Sequence, residues 1–164
     1  MRLFLAIDIP EALREELKPV LDMLRTPGIK PVAPENLHVT VKFLGDVNNQ
    51  AALEERLESL KIAPFSVRTT DIGCFGYRVL WLGLESPGLQ ALGGEVDRLL
   101  GADYKSEPYS PHLTLARGKD NQAKGPFHRF LGHHFHHRWT AERLVLYESV
   151  LGPEGAKYRT IGKF

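Results

Sequence analysis

At 164 residues, 43% hydrophobic and 25% charged, the chain is long enough to bury one sound core, or two small lobes sharing one, and its composition is that of an ordinary soluble globular protein. A formal net charge of +1 argues against broad, non-specific nucleic-acid binding, and the single cysteine, Cys74, excludes an internal disulfide and fits a core residue in a reducing compartment. No run is apolar enough to span a membrane, and the start Leu3–Ile7 is too short for a signal peptide and is stopped by Asp8, so a cytoplasmic location is expected. The charge is uneven: residues 1–116 carry 12 Lys and Arg against 16 Asp and Glu, residues 117–164 carry 9 against 4, and five of the seven His lie in that last segment. A local basic surface or a plain solvated face would both read this way.

In chain order, residues 3–9 form a continuous apolar run that predicts a central strand. A helix follows Pro10, with Leu13, Leu17, Leu21 and Leu24 on one face; Pro19 in its interior should kink it or end it early. Thr26-Pro27-Gly28 is a turn and 30–35 an extended loop. A strand over 37–43 closes at Gly45-Asp46, and Asn48 or Asn49 caps a helix over 50–60 that presents Leu53, Leu57 and Leu60 and is stopped by Pro64. A strand over 65–70 continues extended to a turn at Gly76. The second half opens with a strand over 79–84, Pro87 at a helix start, and Leu89, Leu92, Val96 and Leu99 as that helix's apolar face, ended by Gly101. A polar loop over 102–108 leads into a strand over 110–117. A helix over 121–130 and a weak strand over 133–139 mirror 50–60 and 65–70; a strand over 143–150, a turn at 152–155 and a short strand over 158–161 close the chain.

Both halves therefore read strand, Pro near a helix start, amphipathic helix, loop, strand. Pro10 precedes His38 by 28 positions and Pro87 precedes His112 by 25. The strands that end each unit carry the same pattern, His38-Val39-Thr40 and His112-Leu113-Thr114. Strand alternation puts His38, Thr40 and Lys42 on one face and Leu37, Val39, Val41 and Phe43 on the other. The expected fold is α+β: a pseudo-twofold pair of lobes, roughly 1–77 and 78–164 within one domain over 1–164, with antiparallel sheets lining a central cleft that both motifs face.

Two imidazoles facing one cleft form an acid/base pair, because histidine titrates near neutrality. A hydroxyl two residues along each strand, with one or two cations, suits the non-bridging oxygens of a phosphodiester and its developing charge. This is phosphoryl transfer that asks for no metal and no cofactor. Lys42 shares the face of His38 and Thr40 and is a phosphate-binding candidate, against the reading of a solvated strand-end lysine. Phe4, Phe43 or Tyr109 offers a ring to stack on a base, with core packing the competing reading for Phe4 and Phe43. The tract His133-His134-x-His136-His137 is similar to a metal-binding segment but lacks partnering carboxylates or Cys, and reads as an exposed, variable stretch.

His38-Val39-Thr40-Val41 and His112-Leu113-Thr114-Leu115 resemble the paired HxTx motifs of the two-histidine phosphoesterase superfamily. Arg2–Ile7, Lys42-Phe43-Leu44-Gly45, Pro111–Arg117, Leu146–Ser149 and Gly155–Tyr158 resemble the bacterial and archaeal RNA 2′,3′-cyclic phosphodiesterases, historically called 2′-5′ RNA ligases. The resemblance spans nearly the whole chain, and Pro19 and the His-rich segment depart from it without touching the motifs. It implies hydrolysis of an RNA 2′,3′-cyclic phosphate end to a 2′-phosphomonoester without metal, with His38 as proton donor to the leaving 3′-oxygen and His112 as base for water; on paper the pseudo-symmetry leaves the two interchangeable. It also implies reversible 2′-5′ joining of RNA ends. Arg117 resembles the family's arginine after the second motif, yet strict alternation puts it opposite His112 and Thr114, so a bulge or strand end must bring it round. The expected partner is an RNA 3′ end bearing the cyclic phosphate, handled by a monomer, with no membrane. Two readings compete: a non-catalytic RNA-end or nucleotide binder of the same fold, and a metal-binding protein built on the His tract.

Overall fold

The structure, a computed structural model, describes residues 1–104 and 108–164, with Asp120 described by its backbone alone. The expected polar loop over 102–108 lies partly outside the described residues. The elements are β1 (Arg2–Ile7), α1 (Glu11–Met23), β2 (Ile29–Pro31), β3 (Val39–Asp46), α2 (Gln50–Glu58), β4 (Phe65–Phe75), β5 (Val79–Glu85), α3 (Pro87–Leu100), β6 (His112–Gly118), α4 (Asp120–His128), β7 (Arg138–Ala141), β8 (Val145–Gly152) and β9 (Gly155–Lys163). The strand pairings are antiparallel, with the helices inserted between strands along the chain, so the fold is α+β as the pattern predicts.

Among the described residues two sheets form, one of four strands in the order β3-β1-β8-β9 and one of five in the order β2-β6-β5-β4-β7. β1 lies between β3 and β8, and Leu3, Phe4, Leu5, Ala6 and Ile7 are each 3% exposed or less, which is what a continuous apolar run demands. The lobes are not the two sequence halves. β4, which follows α2 of the first unit, pairs with β5 of the second; β8, which follows the second unit, pairs with β1 of the first. Leaving out edge strand β2, the sheets then correspond strand for strand, β3-β1-β8-β9 against β6-β5-β4-β7. The true counterpart of β4 is thus β8. The weak pattern over 133–139 becomes a single bridge between Asp71 and His134, followed by β7 on the outer edge of β4. One hydrophobic cluster joins both sheets to the inner faces of the helices, including Leu13, Leu17, Leu57, Leu89 and Val96.

α1 runs through Pro19 to Met23 rather than ending early. Pro19 lies on the exposed face, where the carbonyl it leaves without a partner faces water, while Leu17, Val20 and Leu21 keep the helix bound to the core. α2 is capped by Asn49, whose Oδ1 accepts from the Ala52 N–H at 3.1 Å, and α3 by Ser86, whose Oγ accepts from the Leu89 N–H at 3.1 Å. β4 and β5 are joined by a tight hairpin in which the Arg78 N–H donates to the Phe75 carbonyl at 2.9 Å. Both central residues, Gly76 and Tyr77, have positive φ (52° and 55°), the turn whose twist suits a two-residue hairpin. The Tyr77 hydroxyl lies 3.1 Å from His128 Nε2.

Candidate active site

His38 and Thr40 from the first sheet and His112, Thr114 and Arg117 from the second line one cleft of about 560 Å³. Each imidazole is fixed by the carbonyl two residues before it: His38 Nδ1–H donates to the Asn36 carbonyl at 2.6 Å, and His112 Nδ1–H to the Ser110 carbonyl at 2.7 Å. A carbonyl only accepts, so Nδ1 carries the proton and Nε2 is the nitrogen left for chemistry. His38 Nε2 lies 3.0 Å from Thr40 Oγ1, the polar neighbour two residues along. Asn36 is itself tied down, its Nδ2–H donating to the Ala156 carbonyl at 2.8 Å.

A β-bulge decides what each motif presents next. Leu80 and Trp81 are adjacent on β5 but oppose Ala116 and Thr114, so Leu115 is the extra residue. Leu115 and Ala116 both turn inward and are fully buried, and Arg117 swings back to the face of His112 and Thr114. The Leu115 carbonyl accepts from the Val32 N–H at 2.8 Å, continuing the β2–β6 pairing past the bulge. The same defect occurs in the first motif. Leu5 and Ala6 oppose Lys42 and Thr40, so Val41 is extra. Val41 and Lys42 are buried, and Phe43, 68% exposed, returns to the cleft. The pseudo-symmetric partner of Arg117 is therefore Phe43 and not Lys42.

This corrects the expected face of Lys42. The lysine still lines the cleft, but its side chain is 8% exposed and its ammonium pairs with Asp97 of α3 at 2.5 Å, tying β3 to the helix behind it. Lys42→Met is accordingly expected to act through stability. Asp97 would lose this partner while partly exposed to water, for a cost of about 1–3 kcal/mol in a urea melt, with kcat/KM changed less than by loss of Arg117.

Phe4 is 3% exposed and cannot stack on a base. Its ring lies 4.8 Å from the His38 ring and 4.9 Å from Tyr158, and the edge of Tyr158 meets His38 at 5.1 Å. Phe43, expected to favour the core, is instead the exposed ring. Tyr109 is held by its hydroxyl, which donates to the Thr40 carbonyl at 3.0 Å, and by its ring, which covers Gly93; burial pushes its phenol pKa up. Burial also pushes the His38 pKa below the ordinary histidine value; Arg117 lowers it further, against the raising effects of the Asn36 carbonyl and Asp8.

Sequence reasoning did not single out Asn36, Tyr158, Phe75 or Asp97, all of which line the cleft. Asn36 carried a usable signal, since it stands two residues before His38 as Ser110 stands before His112. The His tract does find carboxylates, against expectation: His134 Nδ1 lies 2.5 Å from Asp71, and His137 pairs with Glu16 of α1. Among the described residues no group of three or more His, Cys, Asp or Glu side chains is arranged to hold a metal ion.

Comparison with known proteins gives these features a context. The family model for the 2′-5′ RNA ligase superfamily matches residues 9–153. The chain is similar to the RNA 2′,3′-cyclic phosphodiesterase of Methanocaldococcus jannaschii (38% identical, covering 98% of both chains) and to that of Archaeoglobus fulgidus (32% identical, covering 100% of this chain and 99% of the relative). Among solved structures, TT0787 of Thermus thermophilus superposes with a TM-score of 0.83 at 32% identity, covering 100% of this chain and 97% of that one. Escherichia coli LigT complexed with 3′-AMP superposes with a TM-score of 0.84 at 27% identity, covering 99% and 96%. With a model match over most of its length and full-length relatives above 30% identity, the chain belongs to the 2′-5′ RNA ligase superfamily.

Proposed function

We propose that the protein hydrolyses RNA 2′,3′-cyclic phosphate ends to 2′-phosphomonoesters, with His38 and His112 as the proton-carrying pair. The observation that carries this reading is the pair of imidazoles lining one cleft, each fixed as the Nδ1–H tautomer by a backbone carbonyl. The relatives' names as RNA 2′,3′-cyclic phosphodiesterases support the substrate class. His112 Nε2 takes a proton from water as its oxygen bonds to phosphorus. The P–O3′ bond breaks, and His38 Nε2–H delivers a proton to the departing 3′-oxygen. Thr40, Thr114 and Arg117 hold the non-bridging oxygens while negative charge concentrates on them. One copy suffices for this, because both motifs lie in one chain. With an RNA 5′-hydroxyl in place of water, the same proton transfers make a 2′-5′ linkage as the P–O3′ bond breaks, and the reverse of that step cleaves the linkage and restores the cyclic phosphate.

A protein that merely holds an RNA end gains nothing from two imidazoles lining one cleft, each held by a backbone carbonyl with its Nε2 left for proton transfer, which disfavours the non-catalytic reading. Among the described residues no helix is long and apolar enough to cross a membrane. The test is turnover of a short RNA ending in a 2′,3′-cyclic phosphate, with and without EDTA, and with the product identified by ³¹P NMR. Undiminished activity and a 2′-phosphate are expected. Loss of activity in chelator that only added metal restores would refute the mechanism, and a 3′-phosphate would show that the leaving oxygen is misassigned.

A further inference from the structure

Two aromatic rings stand open to solvent on opposite walls of the cleft. Phe43, 68% exposed, projects from the first sheet, and its ring centre lies 6.1 Å from that of Phe4, the ring against His38. Phe75, 46% exposed, projects from the second sheet and meets the His112 ring edge-on at 5.4 Å and 87°. Both line the cleft. Leaving such rings in water forgoes burial of apolar area that the core could have used. Phe75 is also held in place. It ends β4 at the tight turn, and its ring rests on Trp81 at 5.2 Å. Trp81 in turn lies across Gly73, where a Cβ would come within 2.3 Å of the indole. The stack of Gly73, Trp81 and Phe75 therefore sets a flat apolar ring beside His112.

In-line displacement at phosphorus sets the entering and leaving groups on opposite sides. With His38 serving the leaving 3′-oxygen, its nucleoside lies towards Phe43. The entering group lies at His112, the histidine that Phe75 touches. We propose that Phe75 is the seat of a second nucleobase, that of an RNA end with a free 5′-hydroxyl, which replaces water at His112 and is joined through a 2′-5′ linkage. The inference rests on the phosphodiesterase reading above. The joining step balances without a cofactor. The P–O5′ bond forms and the P–O3′ bond breaks; the 5′-hydroxyl proton passes to His112, and the His38 proton passes to O3′. A base is the fitting occupant because it is flat, apolar on its faces and linked to its reacting 5′-oxygen by a short span comparable to the separation of the Phe75 and His112 rings.

The experiment compares wild type with Phe75→Ala and Phe75→Tyr in two reactions. One is hydrolysis of a mononucleoside 2′,3′-cyclic phosphate, which brings a single base. The other is cleavage of a 2′-5′-linked dinucleotide together with its reverse, joining to a 5′-hydroxyl RNA. The ratio of the second to the first is expected to fall about 10-fold in Phe75→Ala, mainly through KM for the two-base substrate, and to recover in Phe75→Tyr. Any general loosening of His112 cancels in that ratio. An unchanged ratio in Phe75→Ala, or a wild type that hydrolyses the cyclic phosphate but neither joins nor cleaves 2′-5′ linkages, overturns the proposal alone. A wild type inert towards the cyclic phosphate overturns the parent reading and the proposal with it.

Discussion

Replacing His38 or His112 by Ala is expected to lower kcat/KM for a 2′,3′-cyclic phosphate by about 10²–10⁴ in each case, because on the proposed mechanism each variant removes a positioned proton carrier. On the same mechanism Thr40→Ala and Thr114→Ala each remove a single hydrogen bond to the transition state, and about 1–3 kcal/mol is expected. A bell-shaped pH profile will show that one imidazole must be charged and the other neutral, but not which is which. Substrate chemistry assigns them. With sulfur in place of the 3′-bridging oxygen, the leaving thiolate needs no proton. His38→Ala should then regain most of its loss and His112→Ala none, and the opposite pattern would exchange the roles. Burial and Arg117 both hold His38 towards its neutral form in the free protein. Its ring resonances should therefore titrate below the ordinary histidine value and move upward when inorganic phosphate binds, since an anion favours the imidazolium. A His38 that titrates normally, or shifts down with phosphate, would count against its place beside the anion. Near-normal turnover in either His variant would remove that residue from the mechanism.

Arg117→Ala is the second large effect, with a loss of about 10²–10³ in kcat/KM expected. The Leu115 bulge turns this guanidinium onto the same face as His112 and Thr114, where it lines the cleft. Its fork can hold two phosphate oxygens, so Arg117→Lys should recover only part of the loss. A second readout follows from its field. Arg117 lowers the His38 pKa, so the Ala variant should move the His38 titration upward, although burial, the larger cause, will keep it below the ordinary value. Turnover within about threefold of wild type in Arg117→Ala would exclude the guanidinium from the phosphate site.

The parts of the molecule that were legible in the sequence are those set by short-range chemistry. The central strand β1, the Asn49 cap, the helices after each motif and the two His-x-Thr strands all follow from local periodicity and capping. What the sequence hid is non-local. Whether β4 pairs with its own unit or with β5 depends on sheet partners far along the chain, and its alternation is the same in both cases. The faces of Lys42 and Phe43 were misread because a bulge adds one residue without any local mark; Val41 and Leu115 look like ordinary strand residues. For Arg117 the geometric conflict itself signalled that a bulge was required. Asp71 and Glu16 reach the His tract from distant elements, so no inspection of that segment alone would have found them.

The exchange of β4 and β8 between the sheets also governs how the molecule comes into being. When β1 and β3 emerge during synthesis, Leu3 must wait for Glu148, and the apolar edge of β1 that faces β8 stays unpaired until most of the chain has been made. The strands β4 to β7 of the second sheet come from one stretch, 65–141, whereas the first sheet closes only when β8 arrives, so the second motif's sheet can form before the first's is complete. The cleft, which lies between the two sheets, is therefore expected to be complete only when the last strands pair, through contacts of high sequence separation of the kind that form slowly.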